Sequence, residues 1–246
     1  MSLAFLTAEA TPASHLRARS PMERLALAAG ASLARVGDWN AANSYDEPTV
    51  ERARLQQSVG FADRSHLVKL ELQAQPQLLA QLVADAREES AQAWWCPVTP
   101  ARVLVLCEPA AAEDVRAAIA RAQERTPGTV TVADVTCGLA ALLLAGPQAR
   151  ELLARFCAID VRPAVAPAMS FRPGSVARTP GYVLVEAPER LLVLVGWALG
   201  EYLWQVVADA AARLGGGPVG AEALAHHLPA RTREPASSPQ GERVDA

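Results

Sequence analysis

Three side chains that could take part in catalysis lie close together in the sequence: Asp63, Ser65 and His66. An acid, a hydroxyl and an imidazole are the components of nucleophilic catalysis, provided that the hydroxyl lies within hydrogen-bond reach of the imidazole. In an extended chain neighbouring side chains point to opposite faces, so Ser65 and His66 would not form a nucleophile–base pair. A hydrogen-bonded turn that leads into the next strand explains the same residues, and we favour this interpretation.

Lys69 is the only lysine in the chain. Amine chemistry such as Schiff-base formation would therefore depend on this residue. Residues 68–73 alternate apolar and polar side chains, which is the period of a strand with one buried face. The pattern places Lys69 on the polar face and gives no indication of an activated amine.

The cysteine and histidine spacings do not form a metal-binding pattern. No two cysteines are spaced as C-x-x-C, and no histidine falls at a zinc-ligand offset from them. Isolated cysteines in a chain of this length are typical of buried thiols in a reducing compartment. The sequence therefore predicts neither a metal site nor a disulfide for these residues: Cys96, Cys107, Cys137, Cys157, His15, His66, His226 and His227.

The composition is that of a soluble globular protein. Of 246 residues, 51% are hydrophobic and 20% are charged, and the formal net charge is −3. A nucleic-acid partner would require a basic surface that this charge balance does not provide. The N-terminus lacks the pattern of a signal peptide, and the longest apolar run, residues 191–199, is about half of a membrane span. We expect a cytoplasmic protein without nucleic-acid or membrane partners.

Hydrophobic periodicity predicts strands that alternate with helices in an α+β fold. Some neighbouring strands form hairpins, so the sheets should be mixed or antiparallel, with helices on one face. We expect a flexible arm over residues 1–19, one domain over 20–228 and a disordered tail over 229–246. Two ferredoxin-like halves, about 20–128 and 129–228, would make up the domain. The predicted strands are 68–73, 102–107, 129–135, 139–145, 175–186 and 191–195, and the predicted helices are 76–90, 110–124, 146–157 and 197–214.

Six short segments between residues 20 and 228 resemble, in their order, the motifs of one protein family. They are the opening at 20–45 (S-P-M, G-A, G-D-W and a tyrosine), G-F-A-D-R-S-H at 60–66, L-A-G-P-Q-A at 144–149, R-T-P-G-Y at 178–182, Trp204, and G-P-V-G-A at 217–221. The family is the glycine-cleavage T-protein (aminomethyltransferase) superfamily, and the resemblance is to its folate-binding domain. It implies the fold of that domain without the C-terminal barrel of full-length aminomethyltransferases.

Three positions at which the superfamily carries polar groups around the pterin differ in this sequence. No acidic residue lies between residues 89 and 108, where the family hairpin bears an aspartate. Tyr182 continues directly into a strand without the family's T-G-E loop, and Glu186 lies too far along that strand to replace its glutamate. Glu222 stands near the position of an expected arginine. A site without these groups would hold the polar edge of a pterin weakly.

This reduction resembles the gamma subunits of heterotetrameric sarcosine oxidases, which keep the fold, lack the catalytic site and pack against the folate-binding large subunit. The resemblance implies a non-catalytic subunit of a flavin-dependent oxidase acting on sarcosine or another N-methyl amino acid. FAD, FMN and NAD would be carried by larger flavoprotein subunits. No catalytic residue is assigned; any tetrahydrofolate bound by this chain would involve Asp63, Ser65, Arg178 and Tyr182. An exposed apolar docking surface is expected, with Trp94, Trp95, Trp197, Tyr202 and Trp204 as its candidates.

Two other functions stay open at this point. A stand-alone tetrahydrofolate-dependent, aminomethyltransferase-like enzyme would need a carboxylate near the pterin, and Asp63 and Glu186 are its candidates. A folate-binding assembly factor for iron–sulfur enzymes is disfavoured, because the K-G-C-Y-x-G-Q-E segment of that branch has no counterpart in this sequence.

Overall fold

Two β-sheets face each other, and helices cover the outer face of each sheet. The structure, a computed structural model, describes residues 17–225. Its helices are α1 (Glu23–Ala28), α2 (Pro48–Gln57), α3 (Pro76–Glu89), α4 (Ala112–Arg125), α5 (Ala149–Ala154), α6 (Gly200–Ala212) and α7 (Ala221–Ala225). Its strands are β1 (Ser32–Val36), β2 (Trp39–Ser44), β3 (Gly60–Asp63), β4 (Val68–Gln73), β5 (Ala93–Thr99), β6 (Arg102–Cys107), β7 (Thr131–Asp134), β8 (Leu139–Ala145), β9 (Ser170–Val176), β10 (Thr179–Ala187), β11 (Arg190–Gly196) and β12 (Gly217–Pro218).

Local sequence explains both the long helices and the central strands. α3 begins at Pro76, whose fixed φ suits the first helical position. It buries Leu79, Leu82 and Ala86, which recur at helical spacing on one face. β8 consists only of leucine and alanine, and nearly all of its residues are buried. A continuous apolar run of this kind forms a strand that is covered on both faces.

The sheets are mixed and antiparallel, which confirms the predicted α+β class. The larger sheet has six strands in the order β12-β3-β8-β11-β10-β9, and the smaller has four in the order β5-β6-β4-β7. Among the described strands β12 pairs with β3 in parallel, and the other pairs are antiparallel. β1 and β2 form a separate hairpin.

Buried side chains fall into three layers that separate the sheets and the helices. One layer packs α3 and α4 against the outer face of the smaller sheet. A second lies between the two sheets and is closed at one side by residues of α2 and α7. The third packs α1, α5 and α6 against the outer face of the larger sheet. Each sheet therefore has helices on one face and the other sheet on its second face.

The prediction that β4 has only one buried face is wrong. Val68, Leu70 and Leu72 pack on the helical side as expected, but Lys69 on the opposite face is fully buried. That face meets the larger sheet instead of solvent, and Glu71 is also largely covered. The alternation of residue types identifies the polar face of β4 correctly. It does not show that the second sheet covers this face.

The chain passes between the sheets more than once. β3 belongs to the larger sheet and β4 to the smaller one, with residues 64–67 between them. β7 returns to the smaller sheet before residues 135–138 lead back to β8 in the larger one. Each predicted half thus contributes a strand to the sheet of the other, and the division into ferredoxin-like halves stays a prediction. Most of the predicted arm and the whole predicted tail lie outside the described residues.

The predicted strand at 175–186 is a hairpin of β9 and β10. Its turn residues Ala177 and Arg178 both have positive φ, 49° and 63°. Tight hairpin turns with this geometry usually contain Asn or Gly, so the sequence carried no signal for a break. The predicted helix at 146–157 is likewise shorter, because α5 spans only Ala149–Ala154.

Gly220 provides a test of how the hairpin β1–β2 is held to the body of the protein. A Cβ atom at Gly220 would overlap the backbone of Asn43 in β2. Its N–H also donates to the buried carboxylate of Glu51 at 2.7 Å. We expect Gly220→Ala to lower the free energy of unfolding by about 1–3 kcal/mol through overpacking, measured by urea denaturation.

Gly196→Ala is the matched control, because a Cβ there meets no atom within 4 Å and φ is −54°. Its free energy of unfolding should change by less than about 0.5 kcal/mol. Equal effects of the two substitutions would contradict the close approach of Gly220 to β2.

Candidate functional site

The polar residues at the end of β3 bond to one another and to the neighbouring strand. Asp63 Oδ1 accepts a hydrogen bond from the Ser65 backbone N–H at 2.9 Å, and Ser65 Oγ accepts one from the Ala141 N–H at 3.2 Å. Burial raises the pKa of Asp63, opposed by hydrogen bonds from Ser20 and Ser65 and by the charge of Lys69. These bonds form the turn that leads into β4.

His66 is buried beside this turn and stays neutral. Burial, followed by the charges of Arg64 and Lys69, lowers the pKa of His66 to about 3. The imidazole therefore carries no proton-transfer function that depends on charging near neutral pH. Ser65 Oγ accepts from the Ala141 N–H and its hydroxyl donates to Asp63, so the hydroxyl proton is used within the turn and is not offered to His66.

Lys69 is enclosed between the sheets with its amine bonded to backbone carbonyls. Nζ donates to Ser65 O at 2.8 Å, Leu67 O at 2.9 Å and Thr136 O at 3.3 Å. Burial lowers the pKa of Lys69 to about 8, and the nearby Asp63 carboxylate opposes that shift. The side chain has no exposed surface, so this amine ties the two connections between the sheets together and does not face a substrate.

Tyr182 and Arg178 lie on β10 and its turn. Tyr182 stacks on Phe171 of β9, with ring centroids 5.4 Å apart and an interplanar angle of 17°. Arg102 bonds to Glu71 and also to Tyr182, and these contacts raise the pKa of Arg102. Arg178 is exposed at the tip of the hairpin. No sequence pattern links Phe171 and Arg102 to Tyr182, because only the pairing of β9 with β10 and the facing sheet bring them together.

The four residues suggested for a cofactor do not converge on one cavity. Asp63 pairs with Leu142 of β8, whose side chain lies in the layer under α1, α5 and α6. Tyr182 pairs with Leu194 of β11, which lies in the layer between the sheets. Directly paired residues share a face, so Asp63 and Tyr182 point to opposite faces of the larger sheet. Two strands, β8 and β11, also separate β3 from β10.

Glu186, the other candidate carboxylate, is held in a buried ion pair. Its Oε2 lies 3.0 Å from Arg190 Nη2, and the two side chains are 9% and 6% exposed. Burial, and secondly the charge of Glu186, raises the pKa of the nearby Cys96 to about 12. The carboxylate of Glu186 therefore neutralises the charge of Arg190 at the edge of the layer between the two sheets.

The five aromatic residues suggested for a partner interface have different environments. Trp204 is only 4% exposed and packs edge-on against Phe61, with ring centroids 5.1 Å apart. Its assignment to an interface is wrong, because its burial on α6 makes it a core residue. Trp94 and Trp95 are in strand β5 and point to opposite faces. Trp197 is half-buried, and Tyr202 is 41% exposed.

Two surface depressions lie away from the four residues suggested for a cofactor. One depression of about 400 Å³ is lined by residues of α2 and by Gly215. Another of about 310 Å³ lies between α5 and residues 159–163. Within residues 17–225, no cluster of three or more His, Cys, Asp or Glu side chains suits a metal ion. None of the helices in that range has the length and apolar run needed to cross a bilayer.

The buried amine of Lys69 gives a pH prediction. The folded pKa of about 8 lies below the ordinary value of 10.5, so between these values the unfolded chain binds more protons than the folded one. The free energy of unfolding should therefore rise with pH across this window, by up to about 1.4 kcal/mol per pH unit, and Lys69 should add no slope below it. Urea denaturation of the wild type and Lys69→Met over this range isolates the effect. A wild-type slope that survives in Lys69→Met would contradict it.

Two solved structures share this fold. A chain of the heterotetrameric sarcosine oxidase from Corynebacterium sp. U-96, in complex with pyrrole 2-carboxylate, has a TM-score of 0.58 and 21% sequence identity. The match covers 80% of this chain and 96% of that chain. The glycine cleavage system aminomethyltransferase T from Bartonella henselae has a TM-score of 0.61 and 16% identity, and the match covers 84% of this chain and 60% of that chain.

No protein-family model and no curated protein matches this sequence. The chain spans nearly all of the sarcosine oxidase chain and about 60% of the transferase. At these identities the likeness concerns the fold, and function has to be argued from the site. The suspected resemblance is confirmed at that level: this chain has the fold shared by the sarcosine oxidase chain and aminomethyltransferase T.

Proposed function

We propose that this chain is a non-catalytic, gamma-type subunit of a heteromeric flavin-dependent sarcosine (N-methyl amino acid) oxidase, in which it supports the folate-binding large subunit. Its partners in this proposal are the larger flavoprotein subunits, which carry FAD, FMN and NAD in a cytoplasmic assembly. One observation carries the proposal: the side chains with catalytic potential bond within the chain. Lys69 bonds to three carbonyls, Glu186 to Arg190, and Asp63 to the turn that follows it.

The two structural relatives differ in how much of their length the shared fold explains. It accounts for 96% of the sarcosine oxidase chain but for 60% of aminomethyltransferase T. The sarcosine oxidase chain thus contains little beyond this fold, and its complex is heterotetrameric. A chain with this fold can therefore serve as one component of an oxidase, and this supports the gamma-type assignment over the transferase.

A pterin does not fit the residues that the resemblance suggested for it. A pterin needs carboxylate or amide partners for its polar edge beside an aromatic or apolar surface. The face of β10 that bears Tyr182 continues into a packed apolar layer that includes Leu184, Leu104 and Leu192. Asp63 lies on the opposite face of the sheet. We therefore derive no chemical step through tetrahydrofolate on this chain.

The surface around the start of α6 is the remaining aromatic candidate for a partner. Trp197 packs against Trp39 with ring centroids 5.9 Å apart, and Tyr202 is 41% exposed. Arg24 of α1 pairs with Glu201 of α6 at 2.7 Å. Partly exposed aromatic residues on a rigid element are typical anchors of protein interfaces.

Co-purification tests the proposed function. We expect the affinity-tagged full-length chain, purified from its native source, to recover larger subunits that carry a flavin spectrum and are identified by mass spectrometry. Trp197→Ala with Tyr202→Ala should reduce that recovery by about tenfold or more, as truncation of aromatic anchors does. Val132→Ala on β7 is the control, because Val132 is exposed to a similar extent, 39%.

The result that would overturn the proposal is a stable monomer that binds tetrahydrofolate in the micromolar range and loses that binding in Asp63→Ala. This outcome would favour the stand-alone one-carbon transferase. That alternative needs a carboxylate that a ligand can reach, whereas Asp63 Oδ1 is bonded within the turn and Glu186 Oε2 belongs to a buried ion pair.

Glu186→Gln separates a structural carboxylate from a ligand-binding one. Removing one partner of a buried ion pair leaves an uncompensated charge, so we expect a loss of about 3–5 kcal/mol in the free energy of unfolding. Glu186→Leu with Arg190→Met should recover most of it, because it removes both charges. Chemical denaturation measures both variants.

Glu151→Gln is the matched control for this prediction. Glu151 and Arg155 have the same sequence spacing as the buried pair, but their side chains are 55% and 36% exposed. Its loss should stay below about 1 kcal/mol. A Glu186→Gln protein as stable as the wild type would contradict the structural role of this carboxylate.

A further inference from the structure

The outer edge of β1 is unpaired among the described strands. β1 forms a two-stranded sheet with β2, and no other strand of residues 17–225 pairs with it. Residues 32–35 are exposed, and they include side chains from both faces of the strand. A two-stranded hairpin by itself is only marginally stable in water, and further strands stabilise it. β1 is therefore an edge to which another strand can be added.

The hydrogen bonds of β2 show which backbone groups of β1 point outward. Asn40 lies opposite Arg35 in the β1–β2 register, and the Asn40 N–H donates away from β1, to Ala18 O at 3.2 Å. In an antiparallel ladder every second pair has its backbone groups directed away from each other, and Arg35–Asn40 is such a pair. Leu33, two residues earlier on β1, belongs to the same set. The N–H and C=O groups of Leu33 and Arg35 therefore point outward from this edge.

The side chains of β1 leave this edge accessible to a strand. Open edges are often blocked by lysine or proline, and the sequence S-L-A-R-V has neither. Arg35 has a carboxylate partner on its own hairpin, because its Nη2 lies 3.3 Å from Asp38 Oδ1. The register shift between Ser32 and Leu33 lies at the start of the strand. Leu33 is 37% exposed, so a strand that covers it removes apolar surface from water.

The sequence of β1 is compatible with itself in antiparallel pairing. With a two-fold axis at Ala34, Leu33 of one copy lies opposite Arg35 of the other, and each of these pairs exchanges its outward N–H and C=O groups. The central pair is Ala34 with Ala34, whose small side chains suit the closer spacing of a pair without mutual hydrogen bonds. The two guanidinium groups do not lie opposite each other, and the apolar stem of Arg35 covers Leu33 of the other copy.

We propose that β1 pairs with β1 of a second copy of this chain, which joins the two hairpins into a single antiparallel sheet. The inference goes beyond the proposed function and does not depend on it. The contact is isologous, because both copies use the same edge, and it leaves no open edge of β1 for a third copy. The edge is short, so the dimer is weak and reversible, and its population depends on the concentration of the chain.

β7 also has an open edge and is the alternative place for such a contact. It is the last strand of the four-stranded sheet and has only β4 beside it. That sheet already carries a layer of helices on one face, whereas β1 shares its sheet only with β2. Pairing with another strand therefore adds more to the stability of β1 than to that of β7.

Sedimentation velocity of the purified full-length chain over a series of concentrations tests the pairing. We expect a reversible monomer–dimer equilibrium. Leu33→Pro removes an outward N–H from both copies, and proline is tolerated in an edge strand whose N–H faces solvent, so the dissociation constant should rise about tenfold or more. Val132→Pro is the matched control on β7: the Val135 N–H bonds to Lys69 O, which places Val132 among the outward residues of that strand. It should leave the equilibrium unchanged.

A cross-link at the two-fold axis tests the register independently of the proline variants. The Cα atoms of a central pair of this kind are about 4.5 Å apart, which is within the range of a disulfide. In a Cys137→Ser background, which removes an exposed thiol, Ala34→Cys should form a disulfide-linked dimer under mild oxidation. Ala133→Cys, at the equivalent position of β7, should stay monomeric.

Three results would overturn the pairing. One is a chain that stays monomeric up to about 0.3 mM. Another is a dimer that persists unchanged in Leu33→Pro, or that cross-links through Ala133→Cys and not through Ala34→Cys, because the contact would then lie elsewhere. The third is cross-linking of Ala34→Cys to a different protein in the native source, identified by mass spectrometry. A monomeric chain that still recovers flavoprotein subunits leaves the proposed function standing.

Discussion

The apolar layer between the two sheets is the constraint on which the rest of the structure depends. Each sheet covers the inner face of the other, so β6 and β8 are apolar over most of their length, and both faces of β4 are covered. Water has no access there, and every charged group that enters needs a partner within the chain. Lys69 meets this requirement through three backbone carbonyls, and Glu186 and Arg190 meet it through each other.

The same layer determines where function can be located. Leucines from both sheets fill the space between them, and burial has moved the neighbouring polar groups away from useful protonation states, as the pKa of His66 at about 3 shows. Acid–base chemistry needs a group whose pKa is near the working pH and whose atoms reach a substrate. Lys69 approaches the first condition but not the second, because its amine is enclosed. The proposed role in an assembly would therefore use the outer surface of the described residues and not the layer between the sheets.

Sequence patterns predicted the elements whose periodicity is set by a single neighbouring layer. The helical spacing in α3 identifies its buried face, and the alternation in β4 identifies the face that packs on the helices although not the burial of the other face. Sequence patterns do not predict features that depend on two packed layers or on backbone geometry. The burial of Lys69 depends on a second sheet, the β9–β10 turn uses Ala177 and Arg178 without a turn signature, and Trp204 faces the core although its neighbour Tyr202 is exposed. Residue type alone could not place the cofactor candidates, since Asp63 and Tyr182 are separated by the faces of a sheet.

Some arginines have hydrogen-bond or ion-pair partners within the chain and stabilise the fold, whereas others are exposed. Arg150 and Arg190 are bonded to carbonyls or to a carboxylate of the same chain, and their role ends with the fold. Arg178 and Met169 are different. Arg178 is an exposed charge that has no carboxylate partner among residues 17–225, and Met169 is an exposed apolar side chain on a strained backbone. Only the positive φ of Met169 costs free energy in the isolated chain, because an exposed arginine is solvated by water. Some buried polar atoms of residues 17–225 also have no hydrogen-bond partner, among them Tyr45 Oη, Trp95 Nε1 and Arg190 Nη1, so the described part of the fold satisfies most of its polar groups but not all of them, and the exposed Met169 is one more feature that packing within it does not explain.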